Sequence, residues 1–382
     1  MNRIAIVGAG AIAPKHVEAY LEFANRCKIT YVCDGALDKA SSLANRFKLR
    51  AEVVRDYHEL LTKSDIDLVS ICTPPSTHAQ IAIDFLTHGK HVLVEKPMAS
   101  SLTECDAMLE AAHKSGKILS VVAQNRFRTP WMKLKALLDM KVAGEILHTQ
   151  INSYWWRGHC YYDLSWRGTW ESEGGGCTLN HAVHHIDALQ WMMGMPSEVH
   201  ALMSNVAHDN AEVEDISMAI LRFPSGGVGQ ITSSVVHHGQ EQQLIFQCEH
   251  ARLSAPWSLY ASRSMLNGFP ERDVEREEAI QRLYDQLPDL RYQEHVGQID
   301  DVLRAIELGT PVLVNGYDGR RTLELIMAIY KSASTGQTVK LPLDAVDSFY
   351  NKESLLQGVP RFNKKTTFVE RFASNDITTG QS

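Results

Sequence analysis

Apolar positions in the first 125 residues fall into short unbroken runs, separated by longer stretches in which they recur every three or four residues. Ile4–Val7, Ile29–Cys33, Leu68–Ile71, His91–Glu95 and Ile118–Ala123 are such runs, rich in β-branched side chains, as expected of strands covered on both faces. Lys15–Glu22, Asp38–Arg46, Asp56–Thr62, His78–Thr87 and Leu102–Ser115 carry helical spacing between them. Strict alternation of strand and helix implies right-handed crossovers and a doubly wound parallel sheet, an α/β fold.

The pattern changes after Pro130. A helix is expected around Trp131–Met140, and Ile146–Trp155 then alternates apolar and polar positions like a half-buried strand. Similar runs follow at Val199–Val206, Ile216–Phe223, Val228–Val235 and Leu244–Cys248, with a turn signal at Pro224–Gly227. Strands joined by short turns predict a large, mostly antiparallel, open-faced sheet in a C-terminal α+β domain. Helices are expected at Thr178–Met193, Val296–Leu308 and Gly319–Thr335. From about Leu343 the chain is polar and weakly patterned and reads as an extended arm or frayed tail. The expected organisation is a dinucleotide-binding domain over 1–125, a substrate-binding and oligomerisation domain over 126–344, and an extension over 345–382.

Composition narrows the function. A chain of 382 residues with 44% hydrophobic and 22% charged residues has ample core for two domains. Its net charge of −7 offers no broad cationic surface, which argues against a nucleic-acid partner. No apolar run approaches the roughly 18–20 residues needed to cross a bilayer, so no membrane span is expected. The N-terminal apolar stretch is broken by Gly8 and Gly10, unlike a secretory signal. Seven scattered cysteines without a Cys-x-x-Cys pair suit reduced thiols and the cytoplasm.

The first strand runs into Gly8-Ala9-Gly10-Ala11-Ile12-Ala13, the Gly-x-Gly-x-x-Gly/Ala pattern between strand and helix. The first glycine permits a tight turn, the second lets the backbone approach a pyrophosphate, and the helix N-terminus favours negative charge. Asp34 ends the second strand 24 residues after Gly10 and is placed to accept the ribose hydroxyls while repelling a 2′-phosphate. NAD is therefore expected over NADP, with a turn-capping aspartate as the alternative role for Asp34. Two further strands end at Thr73-Pro74-Pro75-Ser76-Thr77-His78 and at Glu95-Lys96-Pro97, on the carboxyl edge that binds ligands in such sheets. Downstream lies Gly174-Gly175-Gly176-Cys177-Thr178-Leu179-Asn180-His181-Ala182-Val183-His184-His185-Ile186-Asp187. On a continuous helix Asn180 and His184 would share a face. His184 reads either as a core histidine or as a base for a hydroxyl proton. Cys177, His181 and His185 could form a metal face, but no fourth ligand has matching spacing, and no metal is expected.

Together these motifs resemble those of the Gfo/Idh/MocA oxidoreductases, over about residues 1 to 344. Gln124-Asn125-Arg126-Phe127, Glu214-Asp215 and Gly309-Thr310-Pro311-Val312 add to the likeness. The resemblance implies an N-terminal Rossmann domain and NAD held by Gly8, Gly10, Ala11, Ile12, Asp34, Thr73, Pro74, His78, Glu95 and Asn125. It implies that Trp166 and Arg167 reach the nicotinamide end, and that Lys96 and His184 are the catalytic pair. The family's commoner aspartate is replaced here by Asn180, which can orient a substrate but cannot share a proton. The implied activity is NAD-dependent oxidation of a hydroxyl on a sugar, sugar derivative or cyclitol. A glycosidase using NAD transiently and a non-enzymatic nicotinamide sensor are the alternatives.

The stretch Tyr154–Trp170 carries Tyr154, Trp155, Trp156, Arg157, His159, Tyr161, Tyr162, Trp166, Arg167 and Trp170, a density suited to packing sugar C–H faces and bonding hydroxyls. Arg157 would also admit an acidic sugar. Asn180, Tyr292 and His295 are expected to complete the substrate pocket together with Lys96 and His184. An uncovered sheet face predicts a homodimer or homotetramer.

Overall fold

A computed structural model describes residues 1–370 and 372. The chain forms two compact units, Met1–Phe127 with Leu290–Leu323, and Arg128–Asp289 with Glu324 onward.

The first unit is built on a six-stranded sheet of β1 (Asn2–Val7), β2 (Cys27–Cys33), β3 (Glu52–Val54), β4 (Leu68–Ile71), β5 (His91–Val94) and β6 (Leu119–Val121). The order is β3-β2-β1-β4-β5-β6 and every neighbouring pair is parallel. This is the doubly wound sheet expected. Strand β3 gives no apolar run because it has three residues and only Val54 is buried. Ile4, Ile6, Val32, Leu68 and Leu93 form one core with Ala13, Val17 and Tyr20 of the helix Ala13–Leu21. Ile299, Val302 and Leu303 of the helix Glu294–Leu308 join the same core. Each such aliphatic side chain contributes about 1.5–3 kcal/mol when fully buried, which holds this distant stretch of sequence to the first unit.

The second unit is built on nine strands: β7 (Ile146–Tyr154), β8 (Glu198–Ser204), β9 (Ile216–Arg222), β10 (Val228–Ser234), β11 (Gln242–Cys248), β12 (Ala251–Ala255), β13 (Ser258–Ser264), β14 (Pro270–Arg272) and β15 (Val339–Lys340). Their order is β14-β13-β12-β11-β7-β10-β9-β8-β15, parallel between β7 and β10 and antiparallel elsewhere. Along β9 Ser217, Ala219 and Leu221 point inward while Met218, Ile220 and Arg222 face out, the alternation of a sheet with one open face. The last strands carried little apolar signal because β13 buries only Ala261. The helix Val274–Gln286 likewise buries only Glu277 and Ile280.

Two expectations are corrected. Thr178–Met193 is not one helix but two, Cys177–Asn180 and Val183–Met193. The Ala182 amide reaches past its helical partner to the Cys177 carbonyl at 2.9 Å, which breaks the register between them. The stretch after Leu343 is not a plain arm, since Lys352–Gly358 is helical, with the Asn351 side chain accepting from the Ser354 amide.

Candidate active site

In the first unit, the chain leaves β1 through Gly8. A Cβ there would lie 2.7 Å from backbone atoms of Cys72 and Thr73, and φ is +96°, so only glycine fits. Gly10 differs: no described residue lies within 4 Å of where its Cβ would be. Gly10 and Ala11 are exposed and Ile12 caps the helix Ala13–Leu21, leaving this backbone open to a bulky anion. The Asp34 carboxylate ties the loop down, accepting the Ala9 amide at 2.8 Å and the Ala36 amide at 2.9 Å. It thus does the work of a turn-capping aspartate, with lone pairs remaining for ribose hydroxyls.

At the ends of β4 and β5, the buried His78 joins two backbones: its Nε2 bonds the Thr73 carbonyl at 2.8 Å and its Nδ1 that of Pro97 at 2.9 Å. The Thr73 hydroxyl accepts from Thr77 at 2.8 Å, and Pro74 is exposed. Glu95 is buried, accepting from the Lys96 amide at 3.1 Å and from His16 Nε2 at 3.0 Å. Burial alone would raise the Glu95 carboxyl, but the His16 hydrogen bond and the charges of His16, Lys96 and His295 bring it down to about 2. Burial alone would lower His16, but Cys72 and Glu95 raise it to about 10. His295 lies 3.9 Å from the same carboxylate and is pushed down to about 4, chiefly by burial and then by the charge of His16. Among the described residues, this trio is the one cluster whose His, Cys, Asp or Glu ligand atoms converge within 4.8 Å. No local spacing in the sequence groups these residues, because His16 and Glu95 are 79 residues apart. Lys96 stands out by exposure: every other residue from Val92 to Ala99 is buried.

Asn125 follows β6 in a short 3₁₀ turn, buried, and among the described residues its Oδ1 and the buried Gln124 Oε1 have no hydrogen-bond partner. Tyr292 packs edge-on against Phe23, 5.0 Å between ring centroids, in the core of the first unit.

In the second unit, the buried Glu214 organises the glycine turn. Its Oε2 accepts the Gly176 amide at 3.0 Å, and its Oε1 accepts the Thr178 amide and the Tyr330 hydroxyl, each at 3.0 Å. A Cβ on Gly176 would meet the Glu214 carbonyl oxygen at 1.9 Å, so the turn can close only on glycine. Asn180 donates to the carbonyls of Gly175 at 2.8 Å and Gly176 at 3.2 Å, so its amide stabilises the same turn. Past the helix break, every residue from His181 to Gln190 is buried except His184. Its neighbour His185 is the core histidine, bonded to Ser153 Oγ at 3.0 Å and held down to about 3 by burial and by Arg128. The Cys177 thiol donates to the Ser233 carbonyl at 3.5 Å.

The aromatic segment gathers around Tyr161. The Arg167 guanidinium lies 4.2 Å from the Tyr161 ring centroid and 4.0 Å from that of Trp166, and it pairs with Glu173 at 2.8 Å. The Arg157 guanidinium lies 5.5 Å from the rings of both Trp155 and Tyr161. His181 bonds the Tyr161 hydroxyl at 3.3 Å and packs against Trp155. Trp166 is 44% exposed. In the sequence, the four-residue spacing of His181 from Cys177 points to a metal face; in the structure His181 lies among the rings of Trp155 and Tyr161.

Two family models match the chain, an oxidoreductase family with an NAD-binding Rossmann fold over residues 2–123 and the GFO/IDH/MocA C-terminal domain over 131–254. The chain belongs to the Gfo/Idh/MocA oxidoreductase family. Relatives of this Gfo/Idh/MocA protein include D-glucoside 3-dehydrogenase of Escherichia coli K12, 26% identical over 363 residues, spanning 89% of this chain and 97% of the relative. Myo-inositol 2-dehydrogenase of Thermotoga maritima is 26% identical over 345 residues, spanning 89% and 98%. The structure of the WlbA dehydrogenase from Bordetella pertussis, in complex with NADH and UDP-GlcNAcA, matches with a TM-score of 0.77 at 26% identity, covering 90% of this chain and 98% of that one. The protein is thus an NAD(P)-dependent oxidoreductase acting on CH–OH groups, with an NAD-binding Rossmann domain. The open backbone at Gly10 and the orphaned oxygens of Gln124 and Asn125 suit a dinucleotide. No helix among the described residues is long and apolar enough to cross a membrane.

Proposed function

We propose that this enzyme oxidises a hydroxyl of a sugar, sugar derivative or cyclitol, with Lys96 and His184 handling the proton. The observation that carries the reading is that these two residues are only half-buried within otherwise buried stretches. Bound NAD supplies the nicotinamide that accepts the hydride. His184 takes the hydroxyl proton, the role an imidazole base can fill. Lys96 donates a hydrogen bond to the same oxygen and stabilises its developing negative charge. Asp34 selects NAD by repelling a 2′-phosphate. Trp155 and Tyr161 offer faces for the sugar's C–H surface, Trp166 and Arg167 reach the nicotinamide end of the cofactor, and Asn180 holds the turn leading to His184. All seven cysteines are free thiols and six are buried, which suits the cytoplasm.

A sugar acid is the second reading. Arg157 pairs with no carboxylate among the described residues, and WlbA was crystallised with the acidic UDP-GlcNAcA. The test is reduction of NAD and NADP by a panel of pentoses, hexoses, inositols, uronates and short 2-hydroxy acids. Turnover of sugars or cyclitols with accumulating NADH is expected, and NAD binding at least about tenfold tighter than NADP, or about 1.4 kcal/mol. Turnover confined to short acids overturns the substrate class, no net NADH points to transient redox, and equal cofactor affinities remove the role of Asp34.

The open face of the second sheet carries Leu202, Met218, Ile220 and Val228, which are 67%, 55%, 61% and 43% exposed. Leu202 is paired opposite Met218, and Val228 opposite Arg222, so they line one face. We propose that a second copy covers them in a homodimer or homotetramer. Light scattering is expected to give at least twice the 42.8 kDa of one chain, and Ile220→Lys a single-chain mass. A wild-type mass of one chain refutes this.

A further inference from the structure

The segment His159–Trp170 has little structure of its own: one five-residue 3₁₀ turn, His159–Asp163, and then irregular chain. Its three consecutive carbonyls at Tyr162, Asp163 and Leu164 are nevertheless all bonded, by residues some 200 positions later in sequence. Lys365 Nζ donates to the Tyr162 carbonyl and, at 3.0 Å, to that of Leu164. The Val369 amide donates to the Asp163 carbonyl at 2.7 Å, and the Ser165 amide returns a bond to the Val369 carbonyl at 2.9 Å.

Asn210 clasps the same arm. Its Oδ1 accepts the amides of Thr366 at 2.7 Å and Thr367 at 3.0 Å. Its Nδ2 donates to Asp163 Oδ1 at 2.8 Å and to the Thr367 carbonyl at 3.0 Å. Upstream, the buried Trp170 donates from Nε1 to the Pro360 carbonyl at 2.8 Å.

Lys365 is only 6% exposed. An ammonium in such a place is costly unless its protons are bonded, and an apolar side chain would fill the same space without that cost. What a lysine adds is donors, and they go to the two carbonyls that flank Asp163. Tyr161 and Trp166 sit immediately outside the gripped residues, and Arg167 packs on both rings.

We propose that residues 360–369 form a strap that sets the geometry of the sugar-holding segment, with Lys365 as its positioning residue. The strap acts on binding without supplying a reacting group. Small displacements of a binding segment weaken affinity strongly, so anchoring its backbone determines both affinity and selectivity. The inference rests on reading Tyr154–Trp170 as the substrate segment.

The test uses full-length Lys365→Met and Lys365→Arg, with Thr367→Pro as a surface variant that removes one arm amide and leaves the core intact. Wild-type turnover of the sugar panel tests the functional reading by itself. Hydrogen exchange of amides 160–169 in cofactor-free protein tests the grip whichever way that panel comes out. Lys365→Met and Thr367→Pro are expected to speed that exchange and to raise KM for the sugar, each by about tenfold or more, as expected when bonds from a charged or backbone donor are lost. KM for NAD should rise far less than KM for the sugar, since only Trp166 and Arg167 of the segment are assigned to the cofactor, and Lys365→Arg should recover part of the loss. Unchanged exchange overturns the strap. Faster exchange with an unchanged sugar KM, or parallel loss of sugar and NAD affinity, overturns its positioning role.

Discussion

Alanine in place of His184 is expected to lower kcat by a factor of about 10²–10⁴ while NAD still binds, the usual effect of removing a general base. The sequence offers three histidines within five residues, and the structure separates them. His185 is bonded to Ser153 and sealed in the core, and His181 is engaged with Tyr161. His184 alone of these three is only half-buried. Lys96→Ala should fall by a comparable factor, because the hydrogen bond it supplies matters most when charge develops on the oxygen. Steady-state kinetics with fluorescence titration of NADH separate chemistry from cofactor binding. Wild-type turnover in either variant would move the proton chemistry to another residue. Asn180→Asp should remain active because it restores the family's commoner residue, although a carboxylate cannot donate to the Gly175 and Gly176 carbonyls as the Asn180 amide does.

The second large effect is on stability. His16→Ala is expected to destabilise the protein by roughly 3–5 kcal/mol, because it leaves the Glu95 carboxylate buried without its main partner. The pH dependence has a definite sign. The His16 pKa is raised from 6.5 to about 10, so its contribution is complete below pH 6.5 and is lost as pH rises through 10. The Glu95 pKa is lowered from 4.5 to about 2, so its contribution is complete above pH 4.5 and is lost as pH falls through 2. The wild-type advantage over His16→Ala is therefore greatest between these limits and shrinks toward pH 10. Denaturant unfolding of both proteins at mildly acidic and strongly alkaline pH measures it. A difference below about 1 kcal/mol, or one that grows with alkalinity, would show that the pair is not what holds the end of β5.

The features legible in the sequence are those whose physics is local. Ile4–Val7 and Leu68–Ile71 read as buried strands because burial on both faces demands unbroken apolar runs. The Gly8–Ala13 loop reads as a dinucleotide turn because only glycine tolerates the φ at Gly8 and the approach of Cys72. The alternation in Ile216–Arg222 announces one solvent face. What the sequence could not settle depends on partners distant along the chain. Val296–Leu308 reads as a helix, but only its packing with Ile4 and Val17 assigns it to the first unit. Thr178–Met193 has helical spacing throughout, yet Glu214 and Tyr330 fix the turn before it and the chain breaks at His181-Ala182. Lys365 looks like one more charge in a polar tail, and becomes a buried anchor because its ammonium donates to the carbonyls of Tyr162 and Leu164, some 200 residues earlier in the chain. Local sterics and periodicity write themselves into sequence, whereas hydrogen-bond satisfaction between remote segments is decided only once the chain has folded.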